Sequence, residues 1–175
     1  MEIILAENHG FCYGVKRAVE MADEAANSEG KSYTLGPIIH NPQVVGRLES
    51  KGVSPIQEVA DIDEGTMIIR SHGVGPAIYA EAEEKGLHIL DATCPHVKKA
   101  QQDAKSVIED GMTLVILGEK NHPEVKSINL WANNKGIIIE DEESAEKLQI
   151  VEKMGVVVQT TFSQFKFNSI IEILE

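Results

Sequence analysis

Residues 87–97 read Leu-His-Ile-Leu-Asp-Ala-Thr-Cys-Pro-His-Val, and the fold class follows from this stretch. The apolar run Leu87 to Leu90 predicts a short buried strand. Beyond it Val97, Ala100, Ala104, Val107 and Ile108 recur at the spacing of one helix face. Pro95 suits the first helical position, where its missing N–H costs nothing. Cys94 therefore stands where a strand gives way to a helix, close to unpaired backbone N–H groups and the positive end of a helix dipole. Such a setting favours the thiolate, the form that attacks electrophiles and binds metals. Taken alone, the stretch is equally compatible with a small residue at a packed junction, since free cysteine is often buried.

The same strand–loop–helix unit recurs on both sides. Residues 2–6 predict a strand that runs into Asn8-His9-Gly10-Phe11-Cys12-Tyr13-Gly14, followed by a helical stripe of Val15, Ala18, Val19, Ala22 and Ala26. A strand over Ser32 to Ile39 ends at His40-Asn41-Pro42, and one over Thr66 to Arg70 ends at Ser71-His72-Gly73-Val74. Further on, Thr113 to Leu117 leads to Asn121-His122-Pro123-Glu124. Strand Gly136 to Ile139 and a short helix Ser144 to Leu148 come next. Val156 to Val158 then ends at Gln159-Thr160-Thr161-Phe162-Ser163, before a helix from about Phe165. This alternation predicts an α/β fold with mostly parallel sheets. Ligands in such sheets gather at the carboxyl ends of the strands, and here those ends carry Cys, His or Thr.

Cys12 and Cys94 lie 82 residues apart, and so do His40 and His122. The equivalent of His72 arrives slightly late, at Thr160. This is an internal repeat: Cys-loop, His-loop, His-loop, then Cys-loop, His-loop, Thr-loop. It predicts two tandem three-layer βαβ domains, 13–93 and 94–175. Residues 1–12 are expected to join a third copy, making a three-domain trefoil. A third cysteine loop would fall at or just beyond position 176, and the sequence ends at Glu175. Two cysteines are too few for a closed zinc site or for a four-iron cluster. Three thiolates about a threefold axis would hold a 4Fe–4S cluster with one iron open.

Composition narrows the partners. The 175 residues carry a formal net charge of −12, with 42% hydrophobic and 25% charged residues. General nucleic-acid binding needs a basic surface and is not expected, whereas a local anion site at histidines and helix N-termini is allowed. No apolar run approaches a membrane span and no basic-then-apolar leader opens the chain, so a cytoplasmic location is expected. Two cysteines in a reducing compartment point to metal or redox chemistry rather than a structural disulfide.

Several strings carry a family resemblance: Gly10-Phe11-Cys12-Tyr13-Gly14-Val15, His40-Asn41, Ser71-His72-Gly73-Val74, Asp91-Ala92-Thr93-Cys94-Pro95, His122-Pro123-Glu124-Val125 and Gln159-Thr160-Thr161-Phe162-Ser163. In this order they closely resemble the 4-hydroxy-3-methylbut-2-enyl diphosphate reductases, the IspH or LytB family. The resemblance implies an iron–sulfur oxidoreductase of the non-mevalonate isoprenoid route. Such an enzyme reductively removes an allylic hydroxyl to give isopentenyl and dimethylallyl diphosphate, using electrons from a donor such as ferredoxin or flavodoxin. It implies three α/β domains around a 4Fe–4S cluster held by three cysteines, of which Cys12 and Cys94 match two. By the same matching His40, His72 and His122 contact substrate, Glu124 delivers the proton to the departing oxygen, and Thr160 holds that network. The family's third cysteine and the serine and asparagine loops of its third domain are absent. The chain therefore resembles an N-terminal two-thirds that is expected to be inactive alone.

Each residue also has a plainer reading. A glutamate in a first helical turn commonly complements the dipole, a threonine at a helix start commonly caps it, and a histidine at a strand end is commonly a loop residue. His9, His88 and His96 lie outside the repeat and are read as structural or solvent-facing. The acidic clusters near Asp61 and Glu140 read as solvated turns, and Gly73-Val74-Gly75-Pro76 lacks the third glycine of a dinucleotide fingerprint. Two other functions stay open: a diphosphate- or metal-binding module without redox activity, and a thiol protein in which Cys12 and Cys94 form a reversible disulfide.

Overall fold

The computed structural model describes residues 2–7, 9–149 and 152–175. Met1 and Asn8, which fall in the expected N-terminal strand and cysteine loop, lie outside these. The elements run α1 (Tyr13–Ala26), β1 (Ser32–Leu35), α2 (Pro42–Ser50), β2 (Val53–Ile56), β3 (Thr66–Ile69), α3 (Pro76–Glu84), β4 (His88–Asp91) and α4 (Pro95–Glu109). They continue with β5 (Thr113–Leu117), α5 (Pro123–Trp131), β6 (Ile137–Ile139), α6 (Glu142–Glu146), β7 (Met154–Val158) and α7 (Gln164–Leu174). The strands form two parallel sheets, ordered β2-β1-β3-β4 and β6-β5-β7. The repeat is thus visible in three dimensions, β1 and β5 being the central strands of equivalent units.

Alternation along the strands builds three layers in each unit. On β3, Ile68 faces Ala18, Ala22 and Leu48 of α1 and α2, while Met67 and Ile69 face Val59 and Ala82 on the other side. On β5, Leu114 and Ile116 pack under α4 and α5, while Val115 and Leu117 pack against Ala145 of α6 and Ile170 of α7. Strands covered on both faces read as continuous apolar runs, as these do. Truncating any one of these isoleucines to alanine would cost about 2–5 kcal/mol.

Two differences from the sequence reading have physical causes. The first is β2, a strand with no counterpart in the sequence reading: it is four residues long and contains Pro55, opposite Thr34. Proline is tolerated there because β2 is the sheet edge, where one side of the strand needs no donors. The second is the expected strand at 2–6, which makes no ladder; Ile3, Ile4 and Leu5 are exposed. A strand exists only beside a partner, and neither sheet offers this segment one. Its equivalent before the second cysteine, β4, does have a partner in β3.

The two units meet along α5 and the loop after β3. Ser127 Oγ donates to the His72 carbonyl at 2.8 Å, and Trp131 Nε1 donates to the Val74 carbonyl at 2.9 Å. Gly73 sits between them at φ +72°, and a Cβ there would lie 2.4 Å from Gln101 Nε2. Only glycine permits this approach, so Gly73 sets how closely the units dock.

Candidate active site

All seven residues singled out by the repeat and the resemblance line one cavity of about 310 Å3: Cys12, Cys94, His40, His72, His122, Glu124 and Thr160. It lies at the carboxyl ends of strands from both sheets, where parallel α/β folds place ligands.

Each cysteine occupies the N-cap position of a helix, Cys12 before α1 and Cys94 before α4. Both thiols are free, and neither spends its side chain on a cap hydrogen bond. Cys94 is held by its neighbours: its N–H donates to the Ser71 carbonyl at 2.9 Å. Its Sγ lies against Gly14, where a Cβ would stand 2.5 Å away. Arg17, one turn into α1, donates to the carbonyls of Thr93 at 3.2 Å and Asp91 at 3.4 Å. The helix that begins at one cysteine thereby clamps the turn that carries the other.

The three imidazoles form a cluster, with ring centroids 4.5 Å (His40–His72), 5.5 Å (His72–His122) and 5.8 Å (His40–His122) apart. Each contributes a nitrogen within 4.8 Å of the others, a spacing open to a cation as well as to an anion. The hydrogen bonding of His122 favours the anion. Its Nδ1 accepts from the Glu124 N–H at 3.2 Å, capping α5. A neutral imidazole that accepts at Nδ1 carries its proton on Nε2, so that nitrogen is a donor for a phosphate oxygen rather than a lone pair for a metal. Burial, followed by electrostatic coupling to His40, Arg70 and His122, lowers the pKa of His72 to about 3. Its Nδ1 is buried without a hydrogen-bond partner among the described residues.

Glu124 is 2% exposed, in the first turn of α5. One carboxylate oxygen accepts from the Thr160 N–H at 2.6 Å and the other from the Thr160 hydroxyl at 2.9 Å. Thr160 follows β7, so the pair ties the first turn of α5 to the loop after β7, 36 positions later in sequence. Gln159 stiffens the same loop: its Oε1 accepts from the Glu119 N–H at 2.9 Å and its Nε2 donates to Thr161 Oγ1 at 2.9 Å. Gln159, Arg17 and Gly14 were not singled out as site residues by sequence reading. A glycine two residues after Cys12 was the one available signal.

The family model described as LytB protein matches residues 3–175. The chain belongs to the LytB family. Among LytB relatives, the 4-hydroxy-3-methylbut-2-enyl diphosphate reductase of Geobacter metallireducens is 51% identical over 93% of this chain and 58% of its own length. That of Caldanaerobacter subterraneus is 46% identical over 100% of this chain and 62% of its own length. A solved (E)-4-hydroxy-3-methyl-but-2-enyl diphosphate reductase, described as the terminal enzyme of the non-mevalonate pathway, superposes with a TM-score of 0.85. It is 45% identical over 98% of this chain and 63% of its own. The Plasmodium falciparum reductase gives a TM-score of 0.90 at 31% identity, over 96% of this chain and 54% of its own. The chain thus spans about three-fifths of the length of the curated LytB relatives it matches, 58% and 62% for the two named. Among the described residues no helix is long and apolar enough to cross a membrane.

Proposed function

We propose that this chain forms the larger part of an iron–sulfur reductase that removes the allylic hydroxyl of 4-hydroxy-3-methylbut-2-enyl diphosphate, yielding isopentenyl and dimethylallyl diphosphate. The observation that carries the reading is the convergence of two N-cap thiols, three imidazoles and a buried Glu124 hydrogen-bonded to Thr160 on one cavity. Loss of the hydroxyl as water consumes two electrons and two protons, one to the departing oxygen and one to carbon, and of the two protons these residues supply the one to oxygen.

Cys12 and Cys94 fit a cluster as part of its ligand set: both thiols are free, both face the same cavity, and Gly14 leaves room for the Cys94 sulfur. Helix N-termini favour the thiolates such a centre needs. A 4Fe–4S cluster, when bound, supplies the electrons, delivered by an external donor such as ferredoxin or flavodoxin. The remaining cysteine belongs to a third unit of the longer protein. The exposed apolar side chains of Ile3, Ile4 and Leu5 offer a face for that unit to cover.

The imidazoles hold the diphosphate. His122 donates through Nε2, and His40 and His72 complete the donor set. An anion beside these rings favours their protonated forms, which supplies positive charge to an acidic protein only where and when the substrate binds. Glu124 gives its proton to the departing oxygen. Thr160 orients the carboxyl through two hydrogen bonds, and its rotatable hydroxyl can pass a proton inward. Burial of Glu124 limits the access of bulk water to its carboxyl, while Thr160 faces the open side of the cavity. We place the enzyme in the reducing cytoplasm, where free thiols persist.

The test is anaerobic reconstitution with iron and sulfide of this chain beside a version extended by about a hundred residues, one further unit. The longer protein is expected to take up a stable cluster and turn over substrate; failure of the longer protein to bind iron would remove the cluster assignment. A second reading, a diphosphate-binding module, is favoured by the donor geometry of His122. Pyrophosphate binding by the short chain that is lost in His122→Ala would support it.

A further inference from the structure

A second cavity of about 330 Å3 lies on the opposite side of the loop that carries His72, sharing no residue with the first. It is framed by the carboxyl ends of three strands: Gly36 after β1, Gln57 after β2 and Arg70 after β3. Pro123 and Lys126 of α5 close it from the second unit.

Arg70 is the notable group. Its guanidinium is half-buried and forms no ion pair among the described residues. Its Nε is fully buried with no acceptor among the described residues. Guanidinium stays charged in proteins, and an unpaired charge taken out of water is costly. The surroundings make room for that head group rather than neutralise it. Gly36, at φ +70°, lies against it so closely that a Cβ would stand 2.8 Å from Nη1. Across the cleft the Lys126 ammonium is exposed and also lacks an ion pair among the described residues. Acidic residues outnumber basic ones 28 to 16 in this chain, yet no carboxylate lines this cavity. Two cations are held together without the counter-charge that is abundant elsewhere.

We propose that the Arg70–Lys126 cleft is a second anion site, one that takes a phosphate dianion independently of the imidazole cluster. The guanidinium presents paired N–H donors matched to two phosphate oxygens, and the lysine adds a mobile point charge. The Gln57 amide is placed to add a further donor. A carboxylate monoanion would leave one of the two cations uncompensated, which favours phosphate. Occupancy here touches the first cavity through two short routes: Arg70 is two residues from His72, and Ser127, on this cavity's wall, holds the His72 carbonyl. The proposal stands whether or not the chain acts on an allylic diphosphate.

The test is a nitrogen-15 amide titration of this chain with inorganic phosphate at constant ionic strength, with acetate as the control anion. Saturable shifts are expected at Gly36, Gln57, Arg70 and Lys126, with acetate at least tenfold weaker. Lys126→Glu, at an exposed position that leaves the fold intact, is expected to weaken phosphate at least tenfold. Arg70→Gln is expected to abolish saturation, while His122→Ala leaves these four shifts in place. Unsaturable shifts, or unchanged phosphate affinity in Lys126→Glu, would overturn the site. So would loss of the shifts in His122→Ala alone, which would assign the anion to the imidazole cavity.

Discussion

Gly14 and Cys94 are in direct contact across the two repeats: a Cβ on the glycine would stand 2.5 Å from the cysteine sulfur and 3.1 Å from its Cβ. A residue in the first turn of one helix thereby sets the rotamer of the thiol that caps another. Gly14→Ala has two opposed effects. Alanine favours the helix by about 1 kcal/mol, and rotating the thiol off its present position costs about the same. Stability is therefore expected to change by no more than about 1 kcal/mol. The thiol itself moves, so alkylation of Cys94 in a Cys12→Ser background should change rate several-fold. Iron uptake by the extended protein should fall. An unchanged alkylation rate would show that Gly14 does not position Cys94.

Glu124 and Thr160 can be separated by graded substitutions. Glu124→Gln keeps an acceptor for the Thr160 N–H, and its amide can donate to the threonine hydroxyl, so about 1 kcal/mol of stability is expected to be lost. Glu124→Ala removes both part-buried bonds to Thr160 and is expected to cost about 2 kcal/mol. Turnover by the extended protein should fall by about 10²-fold or more in both variants, because a positioned proton donor contributes on that scale. Denaturant midpoints and single-turnover rates check the two arms. If turnover followed the stability order instead, Glu124 would be a structural residue.

Gly73 governs the docking of the two units, and with it the meeting of His72 and His122. Gly73→Ala places a side chain at φ +72°, 2.4 Å from Gln101 Nε2 and 3.0 Å from Thr93 Cγ2. The left-handed conformation alone costs about 1–2 kcal/mol, and the contact adds to it. A loss of at least about 2 kcal/mol is expected, with weaker pyrophosphate binding. Trp131→Phe removes the bond to the Val74 carbonyl and trims the ring that packs edge-on to Tyr79, and should cost about 1 kcal/mol. Thermal unfolding of the two variants ranks them, and equal losses would mean that Gly73 has no special role at the junction.

Much of the architecture was legible because it is written in short-range patterns. Cys12, His40, Cys94 and His122 announce the repeat by spacing, and Pro42, Pro95 and Pro123 mark helix starts. Contacts between units leave no such trace. The 36 positions between Glu124 and Thr160 carry no periodic signal, and Gly14 reads as an ordinary glycine until Cys94 is seen on top of it. Strand β2 was hidden by Pro55, which argues against a central strand and is harmless at an edge. The segment 2–6 shows the converse: its composition suits a strand, but pairing needs a neighbour that local sequence cannot supply. Arg70 was invisible because being unpaired is a property of surroundings.

The pH response follows from His72. In the folded chain its pKa is about 3, against 6.5 for the ordinary imidazole. Between those values the unfolded chain holds a proton that the native chain does not, so stability rises with pH across the window and falls on acidification. Asp91 titrates below its ordinary 3.8, because hydrogen bonds from Lys98 and Thr93 outweigh its burial. The interval from pH 6.5 to 5 therefore isolates histidine effects from that carboxylate. Urea unfolding of the wild-type chain should lose stability across this interval, and His72→Gln should lose less; equal losses would remove the buried neutral imidazole from the explanation. A bound diphosphate reverses the balance by stabilising the charged ring. Pyrophosphate binding should accordingly take up protons near neutral pH, seen by calorimetry in buffers of different ionisation enthalpy, and the uptake should shrink in His72→Gln.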